Sequence, residues 1–104
     1  MRLIGVASRD LETISKILRI HVPDRVVWAF GSRVKGPAKK FSDLDLAVIG
    51  DEPLPAALLA DLRHALDSSD LPFKVDLVDF AGAGVAFRAI IQKNHLVLQS
   101  PSGE

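Results

Sequence analysis

Leu11, Ile14, Ile17 and Leu18 recur at helical spacing near the start of the chain, and the run ends before Pro23. The spacing predicts an amphipathic helix with Asp10 as its N-cap. The pattern then changes: Val26, Val27, Trp28, Ala29 and Phe30 form an unbroken apolar run, which reads as a buried first strand with Trp28 in the core. The small pair Gly31-Ser32 turns the backbone, a short helical turn around Arg33 to Lys35 ends at Gly36-Pro37, and a loop from Ala38 to Phe41 follows. Leu44, Leu46, Val48 and Ile49 mark a second strand, closed by Gly50-Asp51-Glu52-Pro53.

Pro55 suits the first turn of a second long helix, where Leu58, Leu59, Leu62, Ala65 and Leu66 return at helical spacing before the polar exit Asp67-Ser68-Ser69-Asp70. A third strand is expected from about Phe73 to Val78. Ala81-Gly82-Ala83-Gly84 reads as a flexible joint; its two glycines lack the third of a dinucleotide fingerprint. A last helix buries Phe87, Ile90 and Ile91, with Lys93 complementing its dipole and Asn94 in a left-handed cap. His95 to Gln99 is expected as an extended tail segment, and Pro101-Ser102-Gly103-Glu104 as a fraying end. Helices alternating with strands make this an α/β (α+β) chain: a small mixed three-stranded sheet packed with about four helices.

The second strand carries unusual chemistry. Strand side chains alternate faces, so Asp43 and Asp45 project from one side, about 7 Å apart along the backbone, while Leu44 and Leu46 point into a core. Two carboxylates on one face repel each other, and a divalent cation is the usual remedy. Mg²⁺ prefers carboxylate oxygens and keeps positions open for water and substrate phosphates. Two such ions about 3.5 to 4 Å apart stabilise attacking and leaving oxygens in displacement at phosphorus. Asp76, in the middle of the third strand, is the better candidate for a third carboxylate; Asp79 lies at the strand end on the opposite face. Ten positions separate the phosphate-sized turn Gly31-Ser32 from Asp43, and Arg33, Lys35, Lys39 and Lys40 fall among them, where they could meet a triphosphate.

Composition narrows the possibilities. At 104 residues the chain is expected to be one domain, residues 1–104, with a single core. Thirteen basic residues balance thirteen acidic ones, which argues against general nucleic-acid binding, because non-specific phosphate affinity is driven by excess positive charge. The absence of cysteine excludes disulfides and thiolate zinc sites. His21, His64 and His95 have no paired spacing and are expected in surface or helix-end roles. No apolar run reaches the 18 or so residues needed to span a bilayer, and the N-terminal run is too short for a signal peptide. A cytoplasmic location, away from membranes, is expected.

The segments Phe30-Gly31-Ser32-Arg33-Val34-Lys35-Gly36 and Ser42-Asp43-Leu44-Asp45-Leu46-Ala47-Val48 resemble the minimal nucleotidyltransferases of the DNA polymerase β-like superfamily. The subgroup they most resemble comprises antitoxins paired with HEPN-domain ribonuclease toxins. The similarity runs from about Leu11 to Leu98. Val34 and Lys35 stand where small and arginine residues are frequent in the family, and neither change removes a carboxylate. The resemblance implies a polymerase β palm-like core in which Gly31 and Ser32 contact nucleotide phosphates. It also implies that Asp43, Asp45 and Asp76 are catalytic and hold Mg²⁺, with two ions expected.

It further implies transfer of a nucleoside monophosphate, AMP from ATP, to a hydroxyl of a protein partner. Asp76 would take the acceptor proton, and Arg33 or Lys35 would stabilise the leaving pyrophosphate. Larger superfamily members add a helical domain for base or acceptor, so a HEPN-type toxin is the expected partner and acceptor. The competing reading is a binding module that neutralises its partner by contact alone. Transfer to a small molecule fits less well without the added domain.

Overall fold

The computed structural model describes residues 3–39 and 42–101. Helix α1 runs Ser8–His21, strand β1 Val27–Phe30, α2 Ser32–Lys35, β2 Leu44–Val48, α3 Ala56–Asp67, β3 Val75–Asp79, α4 Val85–Lys93 and β4 His95–Gln99; a short 3₁₀ turn, Phe80–Gly82, lies between β3 and α4. The strands form one sheet in the order β3-β2-β1-β4. β2 and β3 are parallel, which requires a crossover between them, and α3 supplies it. β1 is antiparallel to both its neighbours.

The two faces of the sheet differ. Val27, Ala29, Leu44, Leu46, Val48, Val75 and Leu77 join Ile14 and Leu18 of α1 and Leu62 and Leu66 of α3 in the main core. Period-2 alternation sends the intervening residues to the other face, where a smaller cluster forms from Phe30, Ala47, Phe80 and Ile91, with Trp28, Ile49 and Val78 packed against it. Trp28 is therefore packed as expected, edge-on to Phe80 at 5.7 Å and stacked on His95 at 3.8 Å. Among the described residues, Phe80 of the 3₁₀ turn and Ile91 of α4 pack on this second face. Among the described residues no helix is long and apolar enough to cross a membrane.

The main difference from the sequence reading is the fourth strand. His95–Gln99, expected as a tail, pairs with β1, and Leu96 and Leu98 pack against the main core. Its partner lies far back in the chain, so nothing in the local pattern reveals the pairing. Asp10 is not the N-cap: Ala7 holds that position and its carbonyl accepts from the amides of Asp10 and Leu11. Asp10 sits instead in the first turn, where a carboxylate complements the helix dipole.

In α4 only Ile91 is fully buried, whereas Phe87 is 40% and Ile90 62% exposed. Phe87 and Ile91 are four residues apart and share a face, while Ile90 lies about 100° round from Ile91. Asn94 is extended, at φ −138° and ψ 98°, because the chain passes straight from α4 into β4 without a left-handed turn. The expected fraying at Ser102-Gly103-Glu104 lies outside the described residues.

Candidate active site

Strand pairing places one row of residues across the open face. Asp76 of β3 pairs with Asp45 of β2, Asp45 with Phe30 of β1, and Phe30 with His95 of β4. Phe87 of α4 closes over Phe30 with ring centroids 5.8 Å apart. The Asp45–Asp76 end of the row is left accessible: Asp76 is exposed and Asp45 half-buried, and Asp43, exposed just before β2, completes the acidic group. The structure thus sets Asp45 and Asp76 side by side on adjacent strands, with Asp43 near enough for its charge to act on Asp45. Leucines at 44 and 46 anchor β2 in the main core, and that anchoring fixes which way the aspartates point.

Their proximity has an electrostatic cost. Burial first, then the charges of Asp76 and Asp43, push the Asp45 carboxyl up from 3.8 to about 6. A cation on this rim would relieve that repulsion. The donors are hard carboxylate oxygens, the set that Mg²⁺ and similar ions prefer. Among the described residues no three acidic or histidine side chains are gathered into a ready-made cage. An open rim suits an ion whose remaining positions are filled by water and phosphate oxygens.

Gly31 brings the turn after β1 directly against this rim. Its φ of +83° lies in the region that favours glycine, and an added Cβ would collide with Asp45 Oδ2 and lie 3.1 Å from Asp45 Cγ. Nothing larger than a hydrogen fits between the turn and the carboxylate. Ser32, half-buried, opens α2, and Lys35, exposed, ends it.

One residue stands differently from expectation. Arg33, expected to face the triphosphate, is 1% exposed. Its Nε donates to the Ser42 carbonyl at 2.9 Å and its Nη1 to the Ile4 and Gly5 carbonyls at 3.0 and 3.2 Å. Of the basic loop, Lys35 and Lys39 remain exposed, and Lys40 lies outside the described residues. Asp79, as expected, faces away from the row; its Oδ2 accepts from the Leu54 amide at 2.8 Å, which pins the β2–α3 loop. Nothing in the sequence signals this cap, because Leu54 and Asp79 are joined only by the fold.

A four-stranded mixed sheet that carries paired aspartates beside a Gly-Ser turn defines a nucleotidyltransferase palm. Residues 12–102 match the family model described as Polymerase beta, Nucleotidyltransferase, and the chain belongs to that family. Over 96 residues, 92% of this chain and 84% of the relative, it is 50% identical to the probable protein adenylyltransferase MntA of Haemophilus influenzae.

Two solved structures are similar in fold. A toxin–antitoxin crystal structure with AMP-PNP aligns with a TM-score of 0.73 and 28% identity over 89% of this chain and 75% of its own. A tri-AMPylated Shewanella oneidensis HEPN toxin in complex with an MNT antitoxin aligns with a TM-score of 0.58 and 28% identity, over 86% and 69%.

Proposed function

We propose that this chain is a protein adenylyltransferase that moves AMP from ATP to a hydroxyl of a HEPN-type toxin and so acts as its antitoxin. The observation that carries the reading is the Asp45–Asp76 pair across the parallel ladder, with Asp43 beside it and Gly31 against it. The 50% identity to a probable protein adenylyltransferase supports the chemistry. The partner is inferred from the structural likeness to an MNT antitoxin bound to a tri-AMPylated HEPN toxin. The pair would meet in the cytoplasm, where ATP is available.

In this reading the Gly31-Ser32 turn holds the β and γ phosphates, with the Gly31 backbone able to approach closely because no side chain intervenes. Lys35 balances charge on the leaving pyrophosphate. Asp43, Asp45 and Asp76 would hold Mg²⁺, two ions being the expected complement, and the metal would supply charge stabilisation at the reacting phosphorus. Asp76 is the exposed member of the ladder pair, and it accepts the proton of the acceptor hydroxyl. That oxygen then forms the new bond to the α-phosphorus as the bond to pyrophosphate breaks.

The test is to incubate the chain with Mg²⁺, ATP labelled at the α-phosphate and a HEPN partner. The expected result is label on a partner hydroxyl, lost in Asp43→Ala and Asp45→Ala. Label that persists in both variants would overturn the site assignment. Neutralisation of the toxin without any label would replace the enzyme by a contact inhibitor.

A further inference from the structure

Arg33 lies beside the phosphate-facing turn in sequence but does not reach the open face. It is buried where the segments leading into the aspartate strands, the helix after the turn and the N-terminal segment converge. Ser42, whose carbonyl accepts from Nε, immediately precedes Asp43. Phe73, whose ring lies 4.6 Å below the guanidinium carbon, stands three residues before Asp76. Ile4 and Gly5 accept from Nη1, and the Ile4 amide donates back to the Arg33 carbonyl at 2.6 Å. Gly5 is suited to that contact: its φ is +70° and an added Cβ would lie 3.0 Å from Nη1.

One planar cation therefore touches the lead-in to β2, the lead-in to β3 and the N-terminal segment, while its own backbone belongs to α2, directly after Gly31-Ser32. A guanidinium can do this because its donors are fixed in a fork and its face stacks on an aromatic ring. Lysine offers a single flexible ammonium and cannot hold these groups in one geometry.

We infer that Arg33 is a positioning residue, which sets the placement of Asp43 and Asp76 relative to the Gly31-Ser32 turn without touching nucleotide. The inference rests on the nucleotidyl-transfer reading for its kinetic consequences, and on the geometry alone for its structural ones. Displacement of a reacting group by about 1 Å costs on the order of 100-fold in rate, so loosening this tie should act on turnover rather than on nucleotide capture.

The test uses the full chain as Arg33→Lys and, separately, Phe73→Leu, which removes the stacking surface from a buried position. Three readouts are taken: amide hydrogen exchange at residues 42–46 and 74–77, affinity for Mn²⁺, and transfer kinetics with the HEPN partner. Arg33→Lys is expected to speed exchange in both segments while α1 stays protected, to weaken Mn²⁺ binding, and to lower kcat by about 10- to 100-fold with KM for ATP within about threefold of wild type. Phe73→Leu should move the same readouts in the same direction by less.

A raised KM for ATP with kcat intact would overturn the inference in favour of phosphate contact. Unchanged exchange and kcat in a folded variant would reduce Arg33 to packing. If Arg33→Lys does not fold, Phe73→Leu decides on the same readouts. A wild-type chain that transfers nothing would defeat the proposed function, and the exchange and Mn²⁺ arms would still decide the role of Arg33.

Discussion

At the scale of single residues, the site is a contact between a glycine and a carboxylate. Gly31→Ala would force a side chain into a left-handed backbone position and into the Asp45 carboxylate at once. A loss of roughly 1–3 kcal/mol in stability is expected from the backbone strain, together with loss of transfer, because the turn must move off the rim. Chemical denaturation and the labelled-ATP assay check the two effects separately. A fully active and equally stable Gly31→Ala protein would show that the turn does not abut Asp45 in solution.

At the scale of elements, Asp76 and Asp79 lie on the same strand with opposite duties. Asp76→Ala is expected to abolish transfer and to cost no stability, since the side chain is exposed and its charge is one of those that raise Asp45. Asp79→Ala should do the reverse: the Leu54 amide loses its acceptor, at a cost of about 1–3 kcal/mol, while activity persists at a temperature where the variant is folded. Thermal melts and transfer rates on both variants would separate them. The same strand shows what could be read from the chain alone. Period-2 counting separates Asp76 from Asp79, because alternation is a local property of extended backbone, whereas the pairing of Asp76 with Asp45 comes from the register of the fold.

What could not be read is equally physical. Whether His95–Gln99 pairs depends on β1, and whether Arg33 faces phosphate or carbonyls depends on where residues 4, 5, 42 and 73 come to rest. Both are decided by tertiary contacts, and a cation in a basic loop looks the same in sequence whether it is solvated or buried. Ile90 illustrates the limit for helices. It is apolar like Ile91, yet the helix turns it outward, and only the position of the sheet determines which of the two is inside.

At the scale of the whole molecule, the acidic rim sets stability against function, and pH exposes the conflict. Asp45 binds its proton more tightly in the folded chain than the ordinary aspartate value of 3.8 allows, with the folded value at about 6. Between those values the folded state holds more protons than the unfolded one, so the contribution of Asp45 to stability falls as pH rises across the window and is flat above it. In a metal-free buffer, wild type should therefore lose stability relative to Asp45→Asn as pH rises from about 4 to about 6, and the variant should be the more stable of the two at pH 7 and above.

Adding Mg²⁺ should close that gap from the wild-type side. An ion bound only by the folded state stabilises it by about 2.7 kcal/mol at 100 times its dissociation constant, and Asp45→Asn should gain much less. Melting curves of both proteins across pH, with and without Mg²⁺, give four profiles. Parallel wild-type and Asp45→Asn profiles in the metal-free series would mean that neither burial nor the neighbouring carboxylates raise Asp45 in the folded chain. A melting temperature of wild type that ignores Mg²⁺ would mean that the rim is not where the cation sits.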